Sequence, residues 1–291
     1  MQLFTMPGHE DLGISLEREA GMTRGEFTLH RFPDGESRIQ VTGEVQGADI
    51  AILCQLYQPD RHVLSLLLLV ETLRDLGARR VGLIAPYLAY MRQDKRFNPG
   101  EGVSSHYFAT LLSRYLDWLV TVDPHLHRIH DLGEIYSIPA QSLTSVRLIA
   151  DWLVAMVERP LVIGPDSESE QWAASVARAA GCPWEVLEKQ RFGDHDVRVS
   201  VPNVGEHRHR TPVLVDDIIS TGRTMQQAAQ HLSDSGFREM YCVAVHGLFA
   251  GGAREALRDA GLQVVTSNSI PDDSNQIDLA PLLSDACQKL I

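Results

Sequence analysis

The chain has 291 residues, 44% of them hydrophobic, and a formal net charge of −12. That length suits two domains of ordinary size, each with a substantial core. The acidic balance excludes electrostatic wrapping of nucleic acid, so a phosphorylated ligand needs local basic groups. The four cysteines, Cys54, Cys182, Cys242 and Cys287, are scattered without paired spacing. This excludes a disulfide framework and a structural zinc site and fits a reducing compartment. The opening MQLFTMPGHEDLG has no basic n-region and no apolar core, so it is not a signal peptide. The apolar run 64–70 is too short to span a bilayer and gives way at once to Glu71 and Arg74. It reads as a buried helix, and a cytoplasmic protein without a membrane partner is expected.

Periodicity predicts a helix over 10–20, a loop then a strand over 31–41, and a short strand over 50–54. Residues 60–76 read as an apolar helix ending before Gly77, and 81–85 as a strand broken at Pro86. A helix over 103–115 and a strand over 118–122 follow, running into Asp123-Pro124-His125. The pattern then restarts: helix 146–157, strand 161–164, helix 168–180 closed by Gly181, strand 184–188. A polar loop over 189–195 and an alternating run over 197–201 come next. Strand 211–215, helix 225–235, strand 241–245, helix 252–260 and strand 263–266 complete the chain. Strands and helices alternate throughout, so the fold class is α/β, with two domains that are each a mostly parallel sheet flanked by helices. The expected domains are 1–141 and 142–291, similar in pattern but not in sequence.

The most informative stretch is 213–224, VLVDDIISTGRT. An apolar strand runs into two acids, Asp216 and Asp217. The loop Ser220-Thr221-Gly222-Arg223-Thr224 follows, and then a helix. Free backbone N–H groups in the loop and at the helix start make an anion site. Gly222 lets the main chain approach the anion, and Ser220, Thr221 and Thr224 add hydroxyl donors. Carboxylates beside a phosphate cradle suit a ligand that also carries hydroxyls or a metal, such as a sugar phosphate. The plain alternative is a strand-to-helix turn in which Ser220 or Thr221 caps the helix. The stretch resembles the phosphoribosyl-pyrophosphate loop of the phosphoribosyltransferase superfamily.

Other segments are weak singly. Asp34-Gly35-Glu36, two residues after Phe32, reads as a Pro-Asp-Gly turn. Arg92-Gln93-Asp94-Lys95-Arg96 reads as a solvated charge run, and Lys189-Gln190-Arg191 as surface charge. Asp123-Pro124-His125 reads as a capped strand end. His125, His127 and His130 lie close together, but without cysteines or a helical H-x-x-x-H they do not make a zinc site. Their order, with Pro165-Asp166 and the stretch above, resembles the ribose-phosphate pyrophosphokinase family. The likeness runs from about Met6 to Asp273 and includes AVHGLFAGG at 244–252 and TSNSIP at 266–271.

That resemblance implies two phosphoribosyltransferase-like domains and a homo-oligomer, dimer or hexamer, that shares the ATP site between subunits. The implied reaction is ATP plus ribose 5-phosphate to AMP plus phosphoribosyl pyrophosphate, with Mg²⁺. By the same resemblance, Phe32, Asp34, Gly35, Glu36, Arg92, Gln93 and Asp94 hold ATP, with Asp34 and Glu36 reaching adenine from the neighbouring subunit. Lys189 and Arg191 are catalytic. His125, Asp166 and Asp123 serve the metal, and Asp216, Asp217, Ser220, Thr221, Gly222, Arg223 and Thr224 take ribose 5-phosphate. Four departures mark a divergent branch. Acids follow Pro165-Asp166 where glycines are usual, His127-Arg128-Ile129-His130-Asp131-Leu132 stands where a Gln-rich stretch with aromatics is usual, the sugar-phosphate loop reads STGRT, and Gln190 replaces a basic residue. A non-catalytic regulatory relative, a phosphoribosyltransferase, and an enzyme with a changed sugar or nucleotide remain as alternatives.

Overall fold

The computed structural model of the chain describes residues 1–126, 128–164, 169–191, 197–200 and 204–289. It divides into two compact units, Met1–Leu143 with Leu279–Ile291, and Thr144–Asp278.

In chain order the first unit comprises β1 (Gln2–Thr5), α1 (Glu10–Ala20), β2 (Thr23–Arg31), β3 (Ser37–Thr42), β4 (Asp49–Leu53), α2 (Val63–Asp75), β5 (Arg80–Ala85), α3 (Ser104–Tyr115), β6 (Trp118–Val122) and β7 (Ala140–Leu143). The sheet order is β3-β2-β1-β4-β5-β6-β7. All pairs are parallel except the β2–β3 hairpin. Strands β4, β5 and β6 are almost wholly buried. Their sequences are therefore continuous apolar runs rather than alternating ones, as covered parallel strands require.

The second unit comprises α4 (Val146–Met156), β8 (Pro160–Gly164), α5 (Glu170–Ala180), β9 (Trp184–Val186), β10 (Glu188–Arg191), β11 (Val197–Ser200), β12 (Thr211–Ile219), α6 (Arg223–Asp234), β13 (Met240–Gly247), α7 (Ala253–Asp259), β14 (Leu262–Ser267) and β15 (Asn275–Ile277). Its main sheet has the order β15-β14-β13-β12-β8-β9, all parallel. Strands β10 and β11 form a separate antiparallel pair. The two units repeat one plan. The first parallel strand lies between the second and the third, and an antiparallel hairpin is attached after the second.

Several expectations change. The expected division gave everything after residue 141 to the second domain, but α8 (Ala280–Gln288) belongs to the first unit. It packs on α1, β6 and β7 through a face that includes Leu283, Ala286 and Cys287. A short amphipathic helix does not announce in sequence which sheet it covers. The expected helix over 60–76 is broken into a 3₁₀ turn at Pro59–Arg61 and then α2, after Gln58 at φ 52°. The run 64–70 is not uniformly buried, since Leu64 is 66% exposed while Leu66, Leu69 and Val70 are in the core. The expected polar loop at 189–195 begins as strand β10, because its backbone pairs with β11. Strand β2 escapes a periodicity reading because little of it is covered.

Candidate active site

Strand β12 lies between β8 and β13. In the second sheet the strand order reverses at β8, so the β8/β12 crevice is the topological switch point where open parallel sheets take ligands. Beyond Ile219 the chain makes a tight loop and enters α6 at Arg223. The N-cap is Gly222, at φ 66° and ψ 6°, which has no side chain with which to cap the helix. Neither Ser220 nor Thr221 is therefore the N-cap residue. The first-turn N–H groups of an α-helix lack intrahelical acceptors. Such N–H groups attract an anion, and the helix dipole adds to the attraction. A Cβ on Gly222 would stand 3.2 Å from Leu257 Cδ1. Both the left-handed backbone and this close approach call for glycine.

A cavity of about 140 Å³ sits here, lined by Asp216, Ile218, Ile219, Ser220, Thr221, Gly222, Arg223, Thr224 and Met225. Asp217 is not among the lining residues; its N–H donates to Asp216 Oδ1 at 3.0 Å. Met225, Ala228, Ala229 and Leu232 of α6 bury against Leu214, Cys242, Ala244 and Leu257, which anchors the loop to the sheet. The Cys242 thiol is pushed above its usual range, first by burial and then by the Asp216 carboxylate. This marks Asp216 as lying close to that buried face. The loop is also held from the next strand exit. Leu248 and Phe249 donate N–H to Ile219 O at 2.9 and 3.2 Å, and Ala250 to Ser220 O at 3.0 Å.

In the first unit the remaining residues fall on three connections. Asp34, Gly35 and Glu36 form the exposed tip of the β2–β3 hairpin. Gly35, at φ 94°, makes the turn, with Gly35 N donating to Phe32 O and Phe32 N to Glu36 O. Phe32 is 40% exposed and meets His30 edge-on at 4.8 Å. Arg92, Gln93 and Asp94 lie between β5 and α3. Arg92 is exposed, while Gln93 accepts from Ser104 Oγ at the start of α3. Asp94, with a 5% exposed side chain, pairs with Arg128 Nη1 at 3.0 Å. Asp123 and His125 follow β6, with His125 N donating to Asp123 O at 2.9 Å. Both adopt positive φ, 36° and 54°. Non-glycine residues in that region carry strain of about 1–3 kcal/mol each, and such strain clusters at functional sites.

Lys189 and Arg191 are two residues apart on β10, in register with Val199 and Val197. Their side chains lie outside the described ones, and Asp166 lies outside the described residues. The structure therefore gathers Asp216 and 220–224 into one cavity. It also ties the Arg92–Gln93–Asp94 connection to the one that carries Asp123 and His125, through Arg128. Sequence reading missed Arg128, whose only signal was a charge inside a stretch that departs from the family pattern. It also assigned no role to 248–250, although AVHGLFAGG was singled out.

Two family models cover most of the chain. Residues 1–115 match the N-terminal domain of ribose phosphate pyrophosphokinase, and residues 132–284 match a phosphoribosyl transferase domain. A ribose-phosphate pyrophosphokinase of Methanopyrus kandleri is 31% identical, with 96% of each chain covered. Its counterpart in Sulfolobus acidocaldarius is 34% identical, with 89% of each covered. The crystal structure of phosphoribosylpyrophosphate synthetase from Mycobacterium smegmatis superimposes with a TM-score of 0.85 at 25% identity, covering 99% of this chain and 98% of that one.

Proposed function

We propose, because the chain belongs to the ribose-phosphate pyrophosphokinase family, that it transfers the pyrophosphoryl group of ATP to the anomeric hydroxyl of ribose 5-phosphate, giving phosphoribosyl pyrophosphate and AMP. The observation that carries this reading is the helix start with glycine at its N-cap, Gly222, beside Asp216 in a single cavity. A phosphate alone is served by the N–H groups. A phosphorylated sugar also uses the carboxylate, which accepts from ribose hydroxyls. In this reading the loop 220–224 takes the 5-phosphate, Asp216 takes ribose hydroxyls, and Asp217 supports the same end of the sugar.

Pyrophosphoryl transfer depends on positioning and on neutralising charge. Lys189 and Arg191 bring cationic groups on a hairpin, a light element suited to closing over phosphates. They stabilise charge that grows on the transferred group and on the AMP oxygen. Arg92 and Gln93 hold the nucleotide, with Asp94 fixing their connection through Arg128. Phe32, Asp34, Gly35 and Glu36 reach the adenine of a neighbouring subunit, in a homo-oligomer of two or more chains. Their exposure on a hairpin tip supports that role.

Mg²⁺ takes oxygen ligands, keeps several waters and usually binds through one or two carboxylates together with substrate phosphates. Asp123 offers such a carboxylate two residues before His125. Among the described residues no three ligating side chains form a preassembled group. The donor set therefore fits a cation carried with the nucleotide, with Asp123, His125 and Asp166 holding it or its waters. When bound, the cation neutralises phosphate charge. Among the described residues no helix is long and apolar enough to cross a membrane. The free cysteines suit action in the cytoplasm.

The test is direct. Purified protein given ATP, ribose 5-phosphate and Mg²⁺ releases AMP one-for-one with phosphoribosyl pyrophosphate. ATP consumption without that product, or none at all, would overturn the reading.

A further inference from the structure

The segment 266–271 has no part in the reaction as described, yet it surrounds one buried histidine. Strand β13 pairs with β14 only as far as Ala244↔Thr266. On its other side it continues along β12 to Ile219↔Gly247. Residues 245–247 therefore extend past the β14 ladder while still flanking the strand that leads into the phosphate loop. On the opposite edge of β14, its ladder with β15 shifts register between Thr266 and Ser267. Where β14 pairing ends, two hydroxyls replace it. Ser267 Oγ donates to Val245 O at 2.7 Å, and Ser269 Oγ donates to the same oxygen at 2.9 Å.

Ser269 Oγ also lies 2.9 Å from His246 Nδ1, both residues being buried. A hydroxyl has one proton. Ser269 Oγ lies within reach of two acceptors, Val245 O and an unprotonated Nδ1, and its single proton serves one of them. With that proton on Val245 O, Ser269 accepts from His246 and the imidazole proton sits on Nδ1. His246 pairs in register with Ile218, one residue before Ile219, whose carbonyl receives the N–H groups of Leu248 and Phe249. Between His246 and those donors lies only Gly247, where a Cβ would stand 2.4 Å from Phe249 Cε2. The chain Ser269–His246–(248–250)–(219–220) is thus continuous in hydrogen bonds and covalent bonds.

We propose that His246 is a positioning residue for the sugar-phosphate loop. Its Nδ1–H bond to Ser269 fixes the buried C-terminal end of β13, and the backbone at 248–250 transmits that constraint to Ile219 and Ser220. This inference rests on the assignment of 220–224 to ribose 5-phosphate.

Two isosteric substitutions separate this role from plain packing. An asparagine amide reproduces a donor near Nδ1, whereas a glutamine amide reaches toward Nε2. His246→Asn should keep KM for ribose 5-phosphate within about twofold, and His246→Gln should raise it about tenfold, the cost of one lost buried hydrogen bond. KM for ATP should stay unchanged in both. Ser269→Ala, a milder change, should match His246→Gln. Nitrogen NMR of the wild-type imidazole should show the Nδ1-protonated tautomer. Equal effects of Asn and Gln, a parallel rise in both KM values, or the Nε2-protonated tautomer would each overturn the proposal. Asp216→Asn is the control for the underlying assignment. If it leaves KM for ribose 5-phosphate untouched, the loop assignment fails, whatever His246 does.

Discussion

The two units share a strand plan but treat their switch points in opposite ways. In the second unit the crevice beside β12 holds a cavity and a helix start with a glycine N-cap. In the first unit the equivalent place, between β1 and β4, is bridged by a side chain. His9 is 3% exposed, and its Nε2 accepts the N–H of Gln55, just past β4, at 3.3 Å. Their hairpins differ as well. The one after β2 ends in Asp34 and Glu36, while the one after β9 carries Lys189 and Arg191. A duplicated scaffold thus need not duplicate a site. Chemistry follows from what stands at each strand exit, and here one copy stays open while the other is bridged.

The largest expected effect comes from the basic hairpin. Lys189→Ala should lower kcat by about 10²–10³-fold, the range for removing one donor that stabilises transition-state charge. Binding of ATP, read by equilibrium titration, should change little. Full turnover by this variant would mean that the hairpin difference between the units has no catalytic meaning.

The open switch point is tested by Gly222→Ala. The variant must hold alanine at φ 66° and accommodate a Cβ 3.2 Å from Leu257. Strain of about 1–3 kcal/mol is expected, with a lower Tm and a raised KM for ribose 5-phosphate. Adding Leu257→Ala should relieve the contact but not the backbone strain, so only part of the loss should return. Complete recovery would show that packing alone demanded the glycine.

The phosphate loop was legible in sequence because its chemistry is local. Adjacent acids, small hydroxyl residues and one glycine fall within nine positions. The alternating α/β order was legible for the same reason, since apolar runs of strand length sit between helical patterns. What stayed hidden was non-local. The return of α8 to the first unit depends on which sheet offers an uncovered face. The pairing of β10 with β11 depends on a partner strand of mixed composition. The Asp94–Arg128 link joins residues 34 apart in sequence, in two different connections. Arg128→Ala leaves the nearly buried Asp94 carboxylate unpaired. It should loosen the Arg92–Gln93 segment and raise KM for ATP several-fold, with little change for ribose 5-phosphate. An equal rise in both would indicate general damage rather than a nucleotide-side effect.

The narrowest effect, confined to acid pH and absent at neutrality, concerns the bridged switch point. Burial lowers the pKa of His9 to about 4 from its usual 6.5; nearby His62 adds to the lowering and Glu10 opposes it. Between those two values the unfolded chain binds a proton that the folded chain refuses, so stability rises with pH across that window. Above pH 6.5 both states are neutral at this residue, and its contribution to the slope vanishes. His9 should therefore cost the protein up to about 3 kcal/mol as pH falls from 6.5 to 4. His9→Gln keeps a polar side chain without a titrating group. Urea unfolding at several pH values should show a flatter acid branch for this variant and an unchanged slope above pH 7. An identical acid branch would mean that the imidazole accepts its proton in the fold, and hence that the first switch point is less firmly bridged than the Gln55 bond indicates.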